Sequence, residues 1–480
     1  MDLAASNQVA LARMAGPARY PPPSAAPYSP DEAYPEFPSL TPSAPGTNPV
    51  FAMVRNVLRD MQLDAPHYGT PQWNPLGDLV PPGGKIVVKP NWVLHRNMGS
   101  GGMDCMITHP SVLRAVLEYA FLAKPSLVTL GDAPLQGCDF NAMLDYAAMH
   151  AVIDQFRARG LPLVLTDFRR TITSETASGV KTVREDFRGE DHYVLADLGA
   201  DSLLEPISRD WKRFRVTVYD PRKMWNHHAP GRHRFLLARE VFEADLILNC
   251  PKLKAHKKAG VTCCLKNLIG INGNKEYLPH HRKGSVEAGR GGDSHPQQSW
   301  LVDMLESALD VLNKHRQFEH LYAFGERVIY YLERRYQRRV PHAQMEGNWY
   351  GNDTIWRTCL DVNRALLYAD TTGRLHDRPQ RRELSIVDAI VCGQGEGPLE
   401  PLPLATGAIF AACNPAIGDH LACRLLHFDA VKIPLVQHSL DAMRWPLCTV
   451  RPDFSMLPDL DSFPPAEPAQ GWKNHIEDTP

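Results

Sequence analysis

The sequence predicts an α/β fold, with a mostly parallel sheet and helices on both faces. Continuous apolar runs recur at residues 85–88, 126–130, 161–166, 244–249, 384–391 and 407–412, and segments with helical spacing lie between several of them. Strands of a parallel sheet covered on both sides read as unbroken apolar runs, not as alternating ones. Several runs also end in polar groups: Lys89 and Asn91, Asp132, Asn249, and then Asp388 with Glu396. Open parallel sheets bind ligands beyond the carboxyl ends of their strands, so these ends are expected to converge on one rim.

Residues 1–49 contain eleven prolines. Proline has no N–H and a fixed φ, which denies this segment a helix or an interior strand, so residues 1–48 are expected to form an extended surface arm. Asn48 followed by Pro49 reads as a cap and a first-turn proline. The helix they open carries Val50, Phe51, Val54, Val57, Leu58 and Met61 on one stripe. The α/β core then spans residues 49–298. Within it, Thr108-His109-Pro110 opens a helix, the run at 126–130 leads into Gly131-Asp132-Ala133-Pro134, and a helical segment at 141–158 precedes the run at 161–166. Residues 168–240 break the rhythm with charge and short alternating stretches such as Arg215-Val216-Thr217-Val218-Tyr219, as expected of a mixed antiparallel insertion. Residues 299–370 are expected to be a helical insertion of three segments. The middle one ends in Arg334, Arg335, Arg338 and Arg339, which suit a helix C-terminus and solvent better than a nucleic-acid patch. Residues 371–435 complete the core, and 436–480 form a surface-hugging tail.

At 480 residues the chain holds one large domain with insertions, or two to three ordinary ones of roughly 100–200 residues each. It is 44% hydrophobic and 22% charged with a formal net charge of −2, which is the composition of a globular protein rather than a nucleic-acid binder. Nothing approaches the ~18 apolar residues of a membrane span, and the first residues lack the pattern of a secretory signal. A cytoplasmic location is expected. The ten cysteines form no CxxC pair, so neither a local iron–sulfur nor a zinc motif is read, and no cofactor is specified. The oligomeric state is not specified either.

The charge is unevenly distributed. Residues 251–290 carry nine Lys or Arg against two Glu, with three His. A local cationic excess at strand-to-loop connections is the chemistry of an anion site. In an extended segment Lys252, Lys254 and His256 share a face and could hold a phosphate or carboxylate. Lys266, between Leu265 and Leu268, is the lysine most exposed to desolvation, which lowers an amine's pKa and makes it a base or nucleophile. Asn267 and Asn91 are expected to orient the anion, Lys89 to bind it, and His281 with Arg282 to close the site. His109 at a helix N-terminus, Asp132, Asp388 and Glu396 are candidate acids, bases or orienting groups. His109, Asp132, His256 and His281 are of metal-ligand type but have no local ligand spacing, so no metal is assigned.

Six segments carry a family resemblance: VVKPNWV (87–93), THPSVLRAVLEYA (108–120), GDAP (131–134), ADLILNCPKLKAHKKAGVTCCLKNLIGING (244–273), IVDAIVCGQGEGP (386–398) and NPAIGDHLA (414–422). In this order they resemble the domain-of-unknown-function 362 family of bacterial and archaeal proteins, which implies the fold more than an activity. The order His256, Gly260 to Thr262, Lys266, Gly270 to Gly273 and His280 or His281 is remotely similar to the catalytic region of nickel-pincer lactate racemases, which points to Lys266 and His256. The expected function is an enzyme that binds an anionic small molecule, carboxylated or phosphorylated. Lys266 and His256 would do proton-transfer or covalent chemistry of an isomerase- or racemase-like kind. The competing expectation is a non-catalytic module for an acidic polymer or glycan, which would add Trp92, Tyr277, Trp349 and Tyr350 to the same cations.

Overall fold

The computed structural model describes residues 5–23, 26–175, 181–184, 186–216, 219–286, 291–296, 300–314, 324–325, 327–328, 331–332, 335, 345–457 and 459–477. Its centre is a nine-stranded sheet: β1 (Val9–Arg13), β2 (Lys85–Pro90), β3 (Leu127–Asp132), β4 (Leu163–Asp167), β5 (Leu246–Cys250), β6 (Lys252–His256), β7 (Gly260–Thr262), β8 (Arg382–Glu396) and β9 (Glu400–Ala412). The spatial order is β1-β9-β8-β5-β2-β3-β4, with β6 paired to β8 and β7 paired to β6. From β8 through β5, β2 and β3 to β4 all pairings are parallel, whereas β9 and β1 add antiparallel partners at one edge. The chain builds outward from β2 to β3 and β4, then returns to place β5 on the other side of β2. This reversal of strand order puts a crevice at the ends of β2 and β5.

The apolar runs become strands because both faces are covered. Ile86, Val88, Val128, Leu130, Leu246 and Leu248 face one hydrophobic cluster with α1 (Pro49–Asp60), α2 (Pro110–Leu122) and α3 (Met149–Ala158). Val87 and Ile247 point the other way, into a cluster with α5 (Ile355–Tyr368); between them in sequence lies the short α4 (Cys264–Asn267). A third cluster joins α5 to α6 (Pro415–Leu426) beneath β8 and β9. Residues 168–240 hold antiparallel structure: a ribbon of Ile172–Glu175 with Lys181–Arg184, and a small sheet of Tyr193–Asp197, Arg232–Ala238 and His228–Ala229. Residues 217–218 lie outside the described residues, as do Arg334, Arg338, Arg339 and most of the middle helix expected at 299–370.

Three expectations are corrected. The arm is not only a surface strap. Its prolines begin at Pro17, which leaves Val9–Arg13 free to pair with β9 as an edge strand, while Tyr28, Tyr34 and Phe37 are buried. Asn48 occupies the cap position of α1, but its side chain does not cap the helix. Its Nδ2 donates to the Tyr28 and Ser29 carbonyls and so ties the arm to the helix. The strand expected at 384–391 continues to Glu396 as β8 and turns back into β9, which separates Asp388 and Glu396 along one strand.

The C-terminal segment is also more than a surface layer. Trp472 is 1% exposed and packs into the cluster under α5 and α6, with its Nε1 donating to the Lys257 carbonyl at 2.9 Å. Trp472→Ala is therefore expected to lower the unfolding free energy by about 3–5 kcal/mol in urea titration, the cost of emptying a buried aromatic site. A tail that only covers the surface would cost within about 0.5 kcal/mol.

Candidate functional site

The crevice between β2 and β5 is filled by a chain of polar side chains, each a donor to the next. Asn249 at the end of β5 donates to the Cys264 carbonyl at 3.0 Å and to Ser385 Oγ at 3.2 Å. Its Oδ1 accepts from Asn267 Nδ2 at 2.7 Å, and Asn267 Oδ1 accepts from Asn91 Nδ2 at 2.8 Å and from Lys89 Nζ at 3.1 Å. Asn91 Oδ1 accepts in turn from Lys254 Nζ at 2.7 Å, and Lys254 also donates to the Met106 carbonyl. Lys89 pairs with Asp132 at 2.8 Å, whose second oxygen accepts from the Trp92 amide at 2.7 Å. One relay thus joins β8, β5, α4, β2, β6 and β3. A Cβ on Gly270 would overlap Asp132 Oδ1 and the Lys89 ammonium, which explains why the turn after α4 carries glycine there.

A second charged group lies along β6 and β8. Lys252 stands opposite Asp388 in register, and their charges meet at 2.7 Å. Tyr20, from the Pro-rich arm, donates to Asp388 Oδ1 at 2.5 Å and accepts from Lys252. It also stacks on His109, with ring centroids 3.9 Å apart. Lys252 therefore differs from the expected free cation: Asp388 already matches its charge. His109 accepts from the Ser111 amide at 3.1 Å as the cap of α2, and its own amide donates to Asp388, so it is an organising residue of this group. Arg282, expected to close the site, is bound to Asp293 at 2.8 Å. Glu396 lies at the hairpin end of β8, where it accepts from the Gln470 amide at 2.6 Å and not from a lysine.

What remains is a set of cations without acidic partners. Lys254, Lys266 and Lys275 are all buried, and none forms an ion pair among the described residues. Lys275 donates to the Ala133 carbonyl at 2.7 Å. No described residue accepts a hydrogen bond from Lys266. Burial lowers all three amines; Lys252 and then Lys266 lower Lys254 further, and Lys89 and then Lys266 lower Lys275. Lys275 reaches about 7, Lys254 falls well below the ordinary range, and Lys266 is lowered. His256 and His280 lie within electrostatic reach of Lys266 and of each other, and both are held well below the ordinary histidine range, first by burial and then by that ammonium.

The two imidazoles carry opposite tautomers. His256 Nδ1 accepts from the Lys258 and Ala259 amides at 3.0 and 3.1 Å, so its proton sits on Nε2. His280 Nδ1 lies 2.6 Å from the Leu278 carbonyl and must donate to it, which leaves Nε2 with a lone pair. One ring thus offers a proton and the other a base, beside a desolvated amine. His281 is buried with Nδ1 unpartnered. His109, Asp132, His256 and His281 do not form one three-ligand group among the described residues. Sequence reasoning missed Tyr20 and Lys275 as site residues. Lys275 had a signal, since it belongs to the same cationic stretch and follows Asn274, which caps the short turn 275–277 by accepting from the Glu276 amide. Tyr20 had none.

Residues 188–424 match the family model described as Domain of unknown function (DUF362), and this region belongs to that family. The matched region contains the motifs at 244–273, 386–398 and 414–422, and the strand-end motifs at 87–134 precede it. A curated relative, the "Thylakoid-associated protein sll1697" of Synechocystis sp., is 23% identical over 242 residues, which is 50% of this chain and 55% of the relative. The chain thus spans about half the length of the curated relative it matches. No solved structure matches the chain. Among the described residues, no helix is long and apolar enough to cross a membrane.

Two substitutions separate the relay from the unpaired cation. Asn267→Leu leaves Asn249, Asn91 and Lys89 each short of a buried partner and is expected to cost about 3 kcal/mol or more in urea unfolding. Lys266→Met removes a buried charge that has no partner and is expected to be neutral or to stabilise by about 1 kcal/mol or more in the same measurement.

Proposed function

We propose that this family member is an enzyme that binds a small carboxylated or phosphorylated anion at the cluster of Lys266, Lys275, Lys254, His256 and His280 and moves a proton on it. The observation that carries the reading is Lys266, a side chain only 7% exposed that has neither a hydrogen-bond acceptor nor a carboxylate partner among the described residues. A buried charge in that condition is costly, and an anionic ligand supplies what the protein does not. In this reading Lys266 and Lys275 neutralise the anion and stabilise charge that develops next to it. His280 takes the proton through Nε2, and His256 returns one from Nε2. The bound anion also offsets the repulsion that adds to burial in holding both imidazoles low, which raises them toward a working range. Lys89, Asn91 and Asn267 act behind these groups as positioning residues, because their polar atoms are taken up by the relay.

The polymer-binding alternative is less well supported. Trp92, Tyr277 and Trp349 are buried, so of the four aromatic residues only Tyr350 is exposed as a stacking surface.

The test uses the full chain. Small carboxylates and phosphates are screened for thermal stabilisation, and those that bind are incubated in D2O while loss of carbon-bound hydrogen is followed by NMR. The wild type is expected to bind and exchange. Lys266→Met is expected to lose binding, and Lys266→Arg to keep binding while exchange drops by about 10²-fold or more. Stabilisation by salt-sensitive polymers alone, with no small ligand, would overturn the reading.

The pH dependence has a definite sign. Lys275, near 7 in the free protein, must be protonated to hold an anion, so binding takes up a proton. Affinity measured by calorimetry is expected to be greatest below pH 7. It should weaken by about tenfold per pH unit above that for each proton taken up. An affinity that is flat from pH 6 to pH 9 contradicts the assignment.

A further inference from the structure

On the side of α4 that faces α6, a second polar cluster takes no part in the anion site. Cys263 follows β7, Cys264 opens α4, and Asp419 stands on α6, all three fully buried. One ligand atom from each lies within 4.8 Å of the other two. Asp419 Oδ1 accepts a long hydrogen bond from the Leu265 amide at 3.3 Å, but Oδ2 is buried with no partner. The two sulfurs are 3.6 Å apart. At a zinc–sulfur distance of about 2.3 Å, that separation subtends about 100° at a shared ion, close to the tetrahedral value. Gly418 leaves the room: a Cβ there would stand 2.6 Å from Cys264 Sγ.

We infer that Cys263, Cys264 and Asp419 form a structural site for a thiophilic divalent cation, zinc by its chemistry. Two thiolates and a carboxylate favour a borderline-soft ion over magnesium or calcium, which prefer all-oxygen shells. Among the described residues no fourth His, Cys, Asp or Glu joins the three, so the fourth position is left to a water molecule. Binding converts two thiols to thiolates and releases two protons to solvent; no electron is transferred. The site would clamp the end of β7 and the start of α4 to α6. It thereby fixes the helix that carries Lys266 and Asn267, although the inference does not depend on what Lys266 does.

The experiment is metal analysis of the full chain, purified after growth in zinc-supplemented medium and, separately, reconstituted with cobalt(II). One zinc per chain is expected, together with an ultraviolet sulfur-to-cobalt charge-transfer band. The Cys263→Ser/Cys264→Ser double variant should lose the band and hold at least tenfold less zinc, and Cys448→Ser, which is not one of the three ligands, should change neither. If the double variant fails to fold, the wild-type cobalt spectrum alone decides. A wild type that takes up neither ion, or a folded double variant that keeps its zinc on the histidines, overturns the inference.

Discussion

The hydrogen-bond relay from Asn249 through Asn267 and Asn91 to Lys254, with the Lys89–Asp132 pair branching from it, is the interaction on which the rest depends. Parallel strands end in free backbone groups and diverging loops, and nothing in the sheet itself fixes where those loops go. Here three carboxamides fix them. Each uses its oxygen and its nitrogen in opposite directions, so the relay has one consistent polarity and specifies the register of six elements at once. The Lys89–Asp132 pair fits the same account. Burial presses Lys89 down and Asp132 up, and the mutual attraction and two backbone amides on the carboxylate oppose that pressure.

The cations around the relay divide by partner, and the division separates architecture from chemistry. Lys89, Lys252 and Arg282 each face a carboxylate, and Lys258 reaches Glu346. Lys254 is satisfied by an amide and a carbonyl. Lys266 alone of these has neither acceptor nor acid among the described residues. Buried ion pairs add little net stability, and an unpaired buried ammonium subtracts from it. A fold that keeps Lys266 therefore bears a cost that packing does not require, and this is the physical reason to look for chemistry on α4.

Much of this was legible in the sequence. The apolar runs gave the strands, because a two-sided sheet leaves no other reading of them, and the polar strand ends gave the rim. The cationic stretch marked the region of the candidate site and singled out Lys266 from its apolar neighbours. The partners were not legible. That Lys252 meets Asp388, 136 residues on, follows from β6 lying beside β8, and sequence distance carries no trace of that pairing. Tyr20 arrives from an arm whose composition suggested only an extended surface path. The vicinal cysteines at 263–264 looked inert because no ligand spacing surrounds them. Their third partner, Asp419, comes from a helix that only the fold brings near.

The central claim is that the Lys266 amine is desolvated, unpaired and waiting for an anion. NMR of the lysine side chains, assigned by difference from Lys266→Met, measures this directly. The account predicts that Lys266 titrates below the ordinary lysine value of about 10.4 and moves upward when an anion that stabilises the protein is added. A titration at or above the ordinary value that no such anion shifts would contradict it.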